Sequence, residues 1–293
     1  CYFPLLVAGP IERATHLLPQ IKKKRTFNYS QAVDGLRQIL WGLFKKIVIA
    51  DNCAEYANLI FNTSDDYSGS TLIMGALFFT FQIYGDFSGY SDIALGTSRL
   101  FGMELLKNFN FPYFSRDIAE FWRRWHISLS SWFKDYLYIP LGGSVGGLKM
   151  KIRNTFIIFL VSGFWHGANW TFIVWGALNA LYFLPSLLLN TNRNHIEIVA
   201  FNRNFPTFKE FFSILVTFGL TVFAWIFFRA TSLSHAISYV KGIFTKSLIS
   251  MPAVRPSYVI ILIFIFVLIE WIGRRDNFAI EKLFLKKNIL ISW

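Results

Sequence analysis

One apolar run, residues 154–189, limits the possible folds of this chain more than any other feature. At a rise of about 1.5 Å per residue, a straight helix of this length would extend about 54 Å, whereas the hydrocarbon core of a bilayer is about 30 Å thick. The run is therefore too long for one membrane span. Glycines and polar residues cluster at residues 163–169, so the sequence predicts a break there, with a helical hairpin formed by the two flanking segments.

The rest of the chain also favours a membrane protein. Hydrophobic residues make up 54% of it and charged residues only 16%, with a mean hydropathy of +0.42. Soluble domains are about 25% charged, so this chain has too little polar surface to coat a soluble fold of its size. We therefore predict an all-α, polytopic transmembrane protein built as a single domain over residues 1–293. The other predicted spans are residues 71–98, 210–228 and 258–273, with a weaker candidate at 36–61.

The chain is strongly basic, with a formal net charge of +12 from 29 Lys and Arg against 17 Asp and Glu. The basic residues cluster beside apolar runs, at residues 22–25, 149–153 and 274–275. This placement predicts the cytoplasmic ends of spans and contact with anionic headgroups, and it disfavours nucleic-acid binding. The two cysteines, Cys1 and Cys53, lack the spacing of a metal site, so no metal is predicted.

Two segments mix charged and apolar residues in a way that is typical of interfacial helices. Residues 115–139 carry charges too densely for a lipid-facing span, but their apolar side chains fall at helical spacing. We predict one or two amphipathic helices there, ending at Pro140. Residues 36–61 are interrupted by Lys45 and Lys46, and they form either a span with snorkelling lysines or an interfacial helix.

His166 is the strongest candidate for chemistry, because it lies inside the long apolar run, within SGFWHGANW. An ionisable residue at membrane depth is energetically expensive and usually functional. Burial favours the neutral imidazole, which can take the proton of a hydroxyl group, as acyl transfer to an alcohol requires. The alternative is a buried histidine that hydrogen-bonds between two helices. Three other histidines lie in polar stretches and are interpreted as surface residues: His16, His195 and His235.

His126 and three charged residues give weaker signals. His126 follows Arg123 and Arg124 on the amphipathic segment, where a histidine is often merely interfacial, but together with His166 it can flank one reaction centre. The two arginines either attract a phosphate-bearing acyl donor or bind lipid headgroups. Asp86 follows an apolar stretch among small residues, and it either orients an imidazole, lines a polar cavity or caps a helix break.

Four segments, which follow one another over about 175 residues, together resemble the membrane-bound O-acyltransferase family. The resemblance is to its bacterial branch, which includes the alginate and peptidoglycan O-acetyltransferases and the D-alanyl transfer protein of teichoic acids. The ending YIPLGGS makes the chain look more like the first two than the third. The segments are LVAGPIERATHLLPQI (6–21), QIYGDFSGYSDIALGTSRLFG (82–102), FWRRWHISLSSWFKDYLYIPLGGS (121–144) and SGFWHGANWTFIVWGALNA (162–180).

For the fold and site, the resemblance implies transmembrane helices with re-entrant or interfacial helices around a central tunnel. His166 matches the family's catalytic histidine in the W-H-G motif, and His126 matches the second histidine in R-W-H-x-S-L-S. Trp165, Asn169 and Asp86 are then expected to line the substrate site. The resemblance also implies that the chain is a fragment, which lacks N-terminal spans and the C-terminal end of a family member.

For function, the resemblance implies a multi-pass protein of the bacterial inner (plasma) membrane. It would move an acyl group, expected to be acetyl, from a cytoplasmic thioester such as acetyl-CoA to hydroxyls of an envelope or exported polysaccharide, with no bound cofactor. A partner protein outside the membrane, similar to an acetyltransferase or esterase, would complete the transfer. The alternatives are D-alanyl transfer to teichoic acid, a transporter of polysaccharide or acyl carrier, and a scaffold subunit whose partner holds the chemistry.

Overall fold

The computed structural model describes residues 2–6 and 8–283, so Cys1 and the prediction about its spacing lie outside the described residues. Within them, every regular element is a helix, which confirms the all-α prediction. The α-helices are α1 (Ala14–Lys22), α2 (Tyr29–Leu43), α3 (Asp51–Asn62), α4 (Gly69–Leu100), α5 (Ile118–Arg124), α6 (Ile127–Phe133), α7 (Gly147–His166), α8 (Trp170–Leu188), α9 (Phe208–Arg229), α10 (Leu233–Ile243) and α11 (Ser257–Gly273). Two π-helical segments, Phe44–Ala50 and Lys134–Tyr138, and four short 3₁₀ turns, Phe3–Leu5, Ser64–Asp66, Pro112–Phe114 and Lys246–Ile249, complete the set.

Among the described residues, two helices, α8 and α9, are long and apolar enough to cross a membrane. The helix α11 is also apolar, but it has only 17 residues. The helix α4 contains the predicted span 71–98 and extends for 32 residues, but its polar residues make it less apolar than α8 and α9. The structure therefore supports a helical membrane protein, and the multi-pass arrangement stays a prediction.

Glycines bring α2 and α4 into close contact along their length. A Cβ atom added at Gly42 would lie 2.6 Å from the carbonyl oxygen of Gly89, and one added at Gly35 would lie 2.7 Å from that of Gly96. The two glycines of each helix are seven residues apart, which is about two helical turns, so they lie on the face that contacts the other helix. Small residues of this kind let helix backbones approach closely, which is a common mode of packing between membrane helices.

The segment 36–61 forms one continuous helical stretch, in which α2 passes through the π-helical segment Phe44–Ala50 into α3. The snorkelling interpretation is wrong for Lys45, because its side chain is 4% exposed and its Nζ lies 2.6 Å from the carboxylate of Asp92 on α4. Burial and an ion pair hold this lysine inside the protein instead of at a lipid surface. Lys46 is more exposed and pairs with Asp86 at 2.7 Å.

The break predicted in the long apolar run is confirmed. Helix α7 ends at His166, α8 begins at Trp170, and the two pack against each other as a hairpin. A Cβ atom at Gly163 would collide with the carbonyl oxygen of Phe172, and one at Gly176 would collide with the carbonyl oxygen of Phe159. The two glycines therefore allow the backbones of α7 and α8 to touch next to His166.

Replacing Gly163 with alanine is expected to destabilise the protein, although alanine favours an isolated helix by about 1 kcal/mol over glycine. The new methyl group meets a backbone oxygen that cannot move away, and overpacking of this kind costs about 1–3 kcal/mol. The measurement is the temperature at which the detergent-solubilised protein aggregates. The matched control is Gly219→Ala on α9, where an added Cβ meets no atom within 4 Å. Equal stability of the two variants would contradict this account of the hairpin.

The amphipathic segment forms two short helices, α5 and α6, as predicted, followed by the π-helical segment Lys134–Tyr138. Asp117 caps α5 through a hydrogen bond that its side chain accepts from the Glu120 backbone N–H at 2.7 Å. The aromatic side chains Phe121 and Trp125 are buried in the main core. This packing places the turn between α5 and α6, which contains His126, against the core and close to the α7–α8 hairpin.

Candidate functional site

His166 stands at the turn of the α7–α8 hairpin, where four aromatic rings surround it. The ring centroid of His166 lies 5.0 Å from that of Trp165, 5.3 Å from Trp175, 5.0 Å from Phe228 and 6.2 Å from Phe172. The histidine is half-buried, and no residue among 2–6 and 8–283 hydrogen-bonds to its ring. Both ring nitrogens are therefore unclaimed by the described part of the protein, unlike those of a histidine that ties two helices together.

His126 is held much more tightly. It is 6% exposed and adopts a left-handed backbone conformation with φ of 44°, which is uncommon for a residue with a side chain. Its Nδ1 lies 2.9 Å from Oδ1 of Asn108, and the backbone N–H of Ile127 donates to the Asn108 carbonyl oxygen at 2.9 Å. Strained backbone that is fixed by its surroundings occurs often at functional sites.

Asn108 is itself buried and makes further hydrogen bonds. Its Oδ1 accepts from the Ser128 hydroxyl at 2.9 Å, and its Nδ2 donates to the Ser91 hydroxyl at 3.2 Å. Ser128 in turn accepts from the backbone N–H of Ile11 at 2.9 Å. Asn108 therefore bonds directly to α4, α6 and the His126 ring, and Ser128 extends this network to the N-terminal segment.

The fold brings the two histidines close to each other. The pKa of His126, which lies outside the long apolar helices, is lowered from 6.5 to about 3, chiefly by burial and secondly by the charge of His166. A wall of indole rings connects them: Trp125 lies 5.1 Å from Trp225, which lies 5.8 Å from Trp175 beside His166. The predicted pairing of these histidines around one centre is therefore consistent with their placement.

The other residues expected to line the site differ in what they do. Trp165 is 57% exposed and contacts the His166 ring, so it lies at the predicted site. Asn169 caps α8, because its side chain accepts from the Thr171 backbone N–H at 3.0 Å and donates to the Thr231 carbonyl oxygen at 3.0 Å. These contacts give Asn169 a structural role, since its side chain stabilises the start of α8 close to His166.

Among the described residues, Asp86 neither caps a helix break nor bonds to an imidazole, and its predicted lining of a polar cavity stays a prediction. It lies in the middle of the continuous helix α4, so it does not cap a helix break. Its carboxylate pairs with Lys46 at 2.7 Å, and Lys46 also pairs with Asp51 at 2.9 Å. The described contacts of Asp86 are therefore with a lysine on a partly exposed surface and not with either histidine of the site.

The prediction that Arg124 attracts an anionic donor is also corrected. Its guanidinium is buried and donates to Glu120 at 2.8 and 3.0 Å and to the carbonyl oxygens of Asn110 and Glu197. These partners use its charge and its donors inside the fold. Arg123 is exposed, and its donors contact two carbonyl oxygens among the described residues, those of Asn192 and His195, so these contacts do not neutralise its charge.

A cavity of about 450 Å³ lies between the α5–α6 segment and the α7–α8 hairpin. Its walls are mainly apolar, and the described residues that line it include three cations and no carboxylate. The lining includes residues that lie within four chain positions of each histidine: Trp122 and Ile127 near His126, and Ser162 near His166. The lining cations are Arg123, Lys134 and Arg193. The arrangement suits a ligand with a slender apolar or amide-containing arm and a negatively charged end.

The sequence reasoning missed Asn108. The only signal was a set of polar residues, Lys107, Asn108 and Asn110, among aromatic residues before Pro112. That pattern indicates buried polar groups, but it does not tell which side chain faces His126, because the contact joins residues 18 positions apart and depends on the turn at His126. Lys134 and Arg193 were missed as well, since only the fold brings them to one cavity.

The helical fold, its long apolar helices and the two histidines at one cluster of tryptophan rings together define a membrane protein with a candidate site between its helices. The chain belongs to the membrane-bound O-acyltransferase (MBOAT) family, whose model matches residues 1–228.

Individual relatives are similar over most of this chain. The chain is 42% identical over 244 residues to the peptidoglycan O-acetyltransferase of Helicobacter pylori, and the alignment covers 82% of this chain and 45% of that protein. It is 39% identical over 243 residues to the probable alginate O-acetylase AlgI of Pseudomonas aeruginosa, at 83% and 44% coverage. The teichoic acid D-alanyltransferase of Bacillus subtilis is 28% identical over 245 residues, at 80% and 60% coverage. The chain thus spans about half the length of the O-acetylating relatives.

Proposed function

We propose that the protein is a membrane-bound O-acyltransferase that transfers an acetyl group from a cytoplasmic thioester, such as acetyl-CoA, toward hydroxyls of a cell-envelope or exported polysaccharide. The observation that carries the proposal is the placement of His126 and His166 at the two ends of one cluster of tryptophan rings, inside a chain of the MBOAT family. Similarity to a peptidoglycan O-acetyltransferase and a probable alginate O-acetylase supports acetyl as the group and a polysaccharide of this kind as the acceptor.

In the proposed reaction, His166 acts as the general base. Its neutral ring accepts the proton of the acceptor hydroxyl while that oxygen attacks the thioester carbonyl. The new C–O ester bond forms, the C–S bond breaks, and the proton passes to the departing thiolate, so that atoms and charge balance. General-base assistance of this kind contributes about 10²–10⁴-fold, and positioning of the two substrates supplies further acceleration. The aromatic rings around His166 pack against its ring and keep it in place.

The cavity between the α5–α6 segment and the α7–α8 hairpin is the proposed binding site for the acyl donor. Its apolar walls suit the arm that carries the thioester, and the exposed guanidinium of Arg123 suits a phosphate group, since arginine binds phosphate through paired donors. Lys134 and Arg193 add positive charge at the same cavity. Arg124 is not part of this proposal, because Glu120 already neutralises it.

The proposed setting is the bacterial plasma membrane, with a multi-pass topology and a partner protein outside the membrane that completes acyl transfer to the polysaccharide. The apolar helices α8 and α9 and the family support a membrane location. D-alanyl transfer to teichoic acid is the less supported reading, because identity to the Bacillus subtilis D-alanyltransferase is 28%, against 42% to the Helicobacter pylori O-acetyltransferase.

The test is an ester analysis of the envelope in the native host. The gene is deleted and then restored, and acetate and D-alanine released from envelope polymers by mild alkali are measured. We expect ester-linked acetate to fall on deletion and to return with the gene, with D-alanine unchanged. Loss of D-alanine with acetate unchanged would favour the D-alanyl reading, and no change in either ester would contradict acyl transfer.

A further inference from the structure

The hydrogen bond between His126 and Asn108 determines where the proton of the His126 ring resides. The atom that faces Nδ1 at 2.9 Å is the amide oxygen of Asn108. An amide oxygen can only accept a hydrogen bond, so the hydrogen in this contact belongs to Nδ1 of the histidine. In a neutral ring the other nitrogen, Nε2, is then left with its lone pair and acts as an acceptor.

The neighbouring hydroxyl groups fit this orientation of the Asn108 amide. The Ser128 hydroxyl accepts the backbone N–H of Ile11, and its own hydrogen needs an acceptor, which Oδ1 of Asn108 provides at 2.9 Å. The opposite end of the amide donates to the Ser91 hydroxyl. If the amide were turned round, its NH₂ group would face the Ser128 hydroxyl, and the Ser128 hydrogen would lose the acceptor that Oδ1 provides.

We propose that Asn108 is a positioning residue that fixes His126 in the Nδ1–H tautomer, so that His126 takes part in the reaction only as a hydrogen-bond and proton acceptor through Nε2. The tautomer follows from the contacts of the ring, whereas its role in the reaction rests on the proposed acyltransferase function. A neutral ring held in this way has no N–H to donate to the acyl carbonyl, so His126 does not polarise the donor. Accepting a hydrogen bond or a proton during the transfer is the role that fits this geometry.

The placement of the second histidine agrees with this role. A positive charge on His166 disfavours a positive charge on His126. When His166 takes up the hydroxyl proton, His126 stays neutral, and Nε2 remains the acceptor that its tautomer provides. Asn108 contributes without touching the reacting atoms, because its contacts are with Nδ1, Ser128, Ser91 and the backbone of Ile127.

The first arm of the test does not depend on enzymatic activity. The membrane-embedded protein is labelled with ¹⁵N-histidine, and the ring nitrogen signals of His126 are assigned by comparison with His126→Gln. We expect a protonated Nδ1 and an unprotonated Nε2 in the wild type, and loss of this preference in Asn108→Leu. The control is Asn110→Leu, which removes an amide that accepts from Lys107 and is not bonded to either histidine in the described contacts. A protonated Nε2 in the wild type, or no change in Asn108→Leu, would overturn the proposal.

The second arm measures the rate of acetyl transfer to polysaccharide. We expect Asn108→Leu to lower it by about 10- to 100-fold, part of the contribution expected of a proton acceptor. Asn108→Asp is expected to restore most of the rate, because its carboxylate still accepts from Nδ1–H, and membrane abundance is measured for each variant. A rate in Asn108→Asp as low as in Asn108→Leu, at equal abundance, would contradict the positioning role. Absence of transfer by the wild type would instead refute the proposed function, with the tautomer still decided by the first arm.

Discussion

Replacing Glu120 with alanine is expected to remove most of the folded protein from the membrane. This carboxylate is 0% exposed, and it accepts hydrogen bonds from Arg116 and Arg124 at 2.8–3.0 Å. The two arginines also donate to the same backbone oxygen, that of Glu197. Without Glu120, the buried guanidinium of Arg124 would have no carboxylate partner among the described residues, and Arg116 would keep only its longer contact with Glu210 at 3.5 Å. Breaking a buried ion pair from one side costs about 3–5 kcal/mol. A loss of this size is a large part of the stability of most proteins.

The matched control for this effect is Glu104→Ala. Glu104 is an exposed glutamate whose side chain pairs with Arg99 at 3.2 Å, and surface ion pairs contribute only about 0–1 kcal/mol. The measurement is the amount of protein in the membrane fraction and the temperature at which the solubilised protein aggregates. We expect Glu104→Ala to resemble the wild type and Glu120→Ala to fall well below it. Two variants of equal stability would mean that the Arg116–Glu120–Arg124 cluster does not support the fold.

The sequence predicted the helical elements best where a local pattern decides the outcome. The break before Asn169 follows from the excessive length of the apolar run and from its glycines, and α5 and α6 follow from helical spacing of apolar residues. The state of Lys45 could not be predicted in this way. Its burial depends on Asp92, which lies 47 positions further along the chain, and on the glycine contacts that bring α2 and α4 together.

The same limit applies to the candidate site. His126 and His166 were identified because each is conspicuous in its own segment, and the fold then placed them near each other. The roles of Asp86 and Arg124 were predicted from their neighbours in sequence, but their partners, Lys46 and Glu120, satisfy their charges elsewhere. Asn108 escaped notice because an asparagine beside aromatic residues has no distinctive pattern, and its value arises only from the ring that it faces.

Replacing His166 with alanine is expected to abolish most of the acetyl transfer while leaving the protein in the membrane. The ring of His166 contacts aromatic side chains, and it makes no hydrogen bond with the described residues, so its removal breaks no buried polar network. It does remove the proposed general base, whose contribution is about 10²–10⁴-fold in rate. Activity and stability should therefore separate in this variant, in contrast to Glu120→Ala.

The most direct test of the account is ester-linked acetate on envelope polysaccharide in hosts that carry the wild type, His166→Ala or His195→Ala at equal membrane abundance. His195 is the matched control, because its side chain is 40% exposed and its nearest charged partner, Asp117, lies 3.8 Å away. We predict that acetate is lost in His166→Ala and retained in His195→Ala. Wild-type acetate in the His166→Ala host would contradict the assignment of this histidine as the base for acyl transfer.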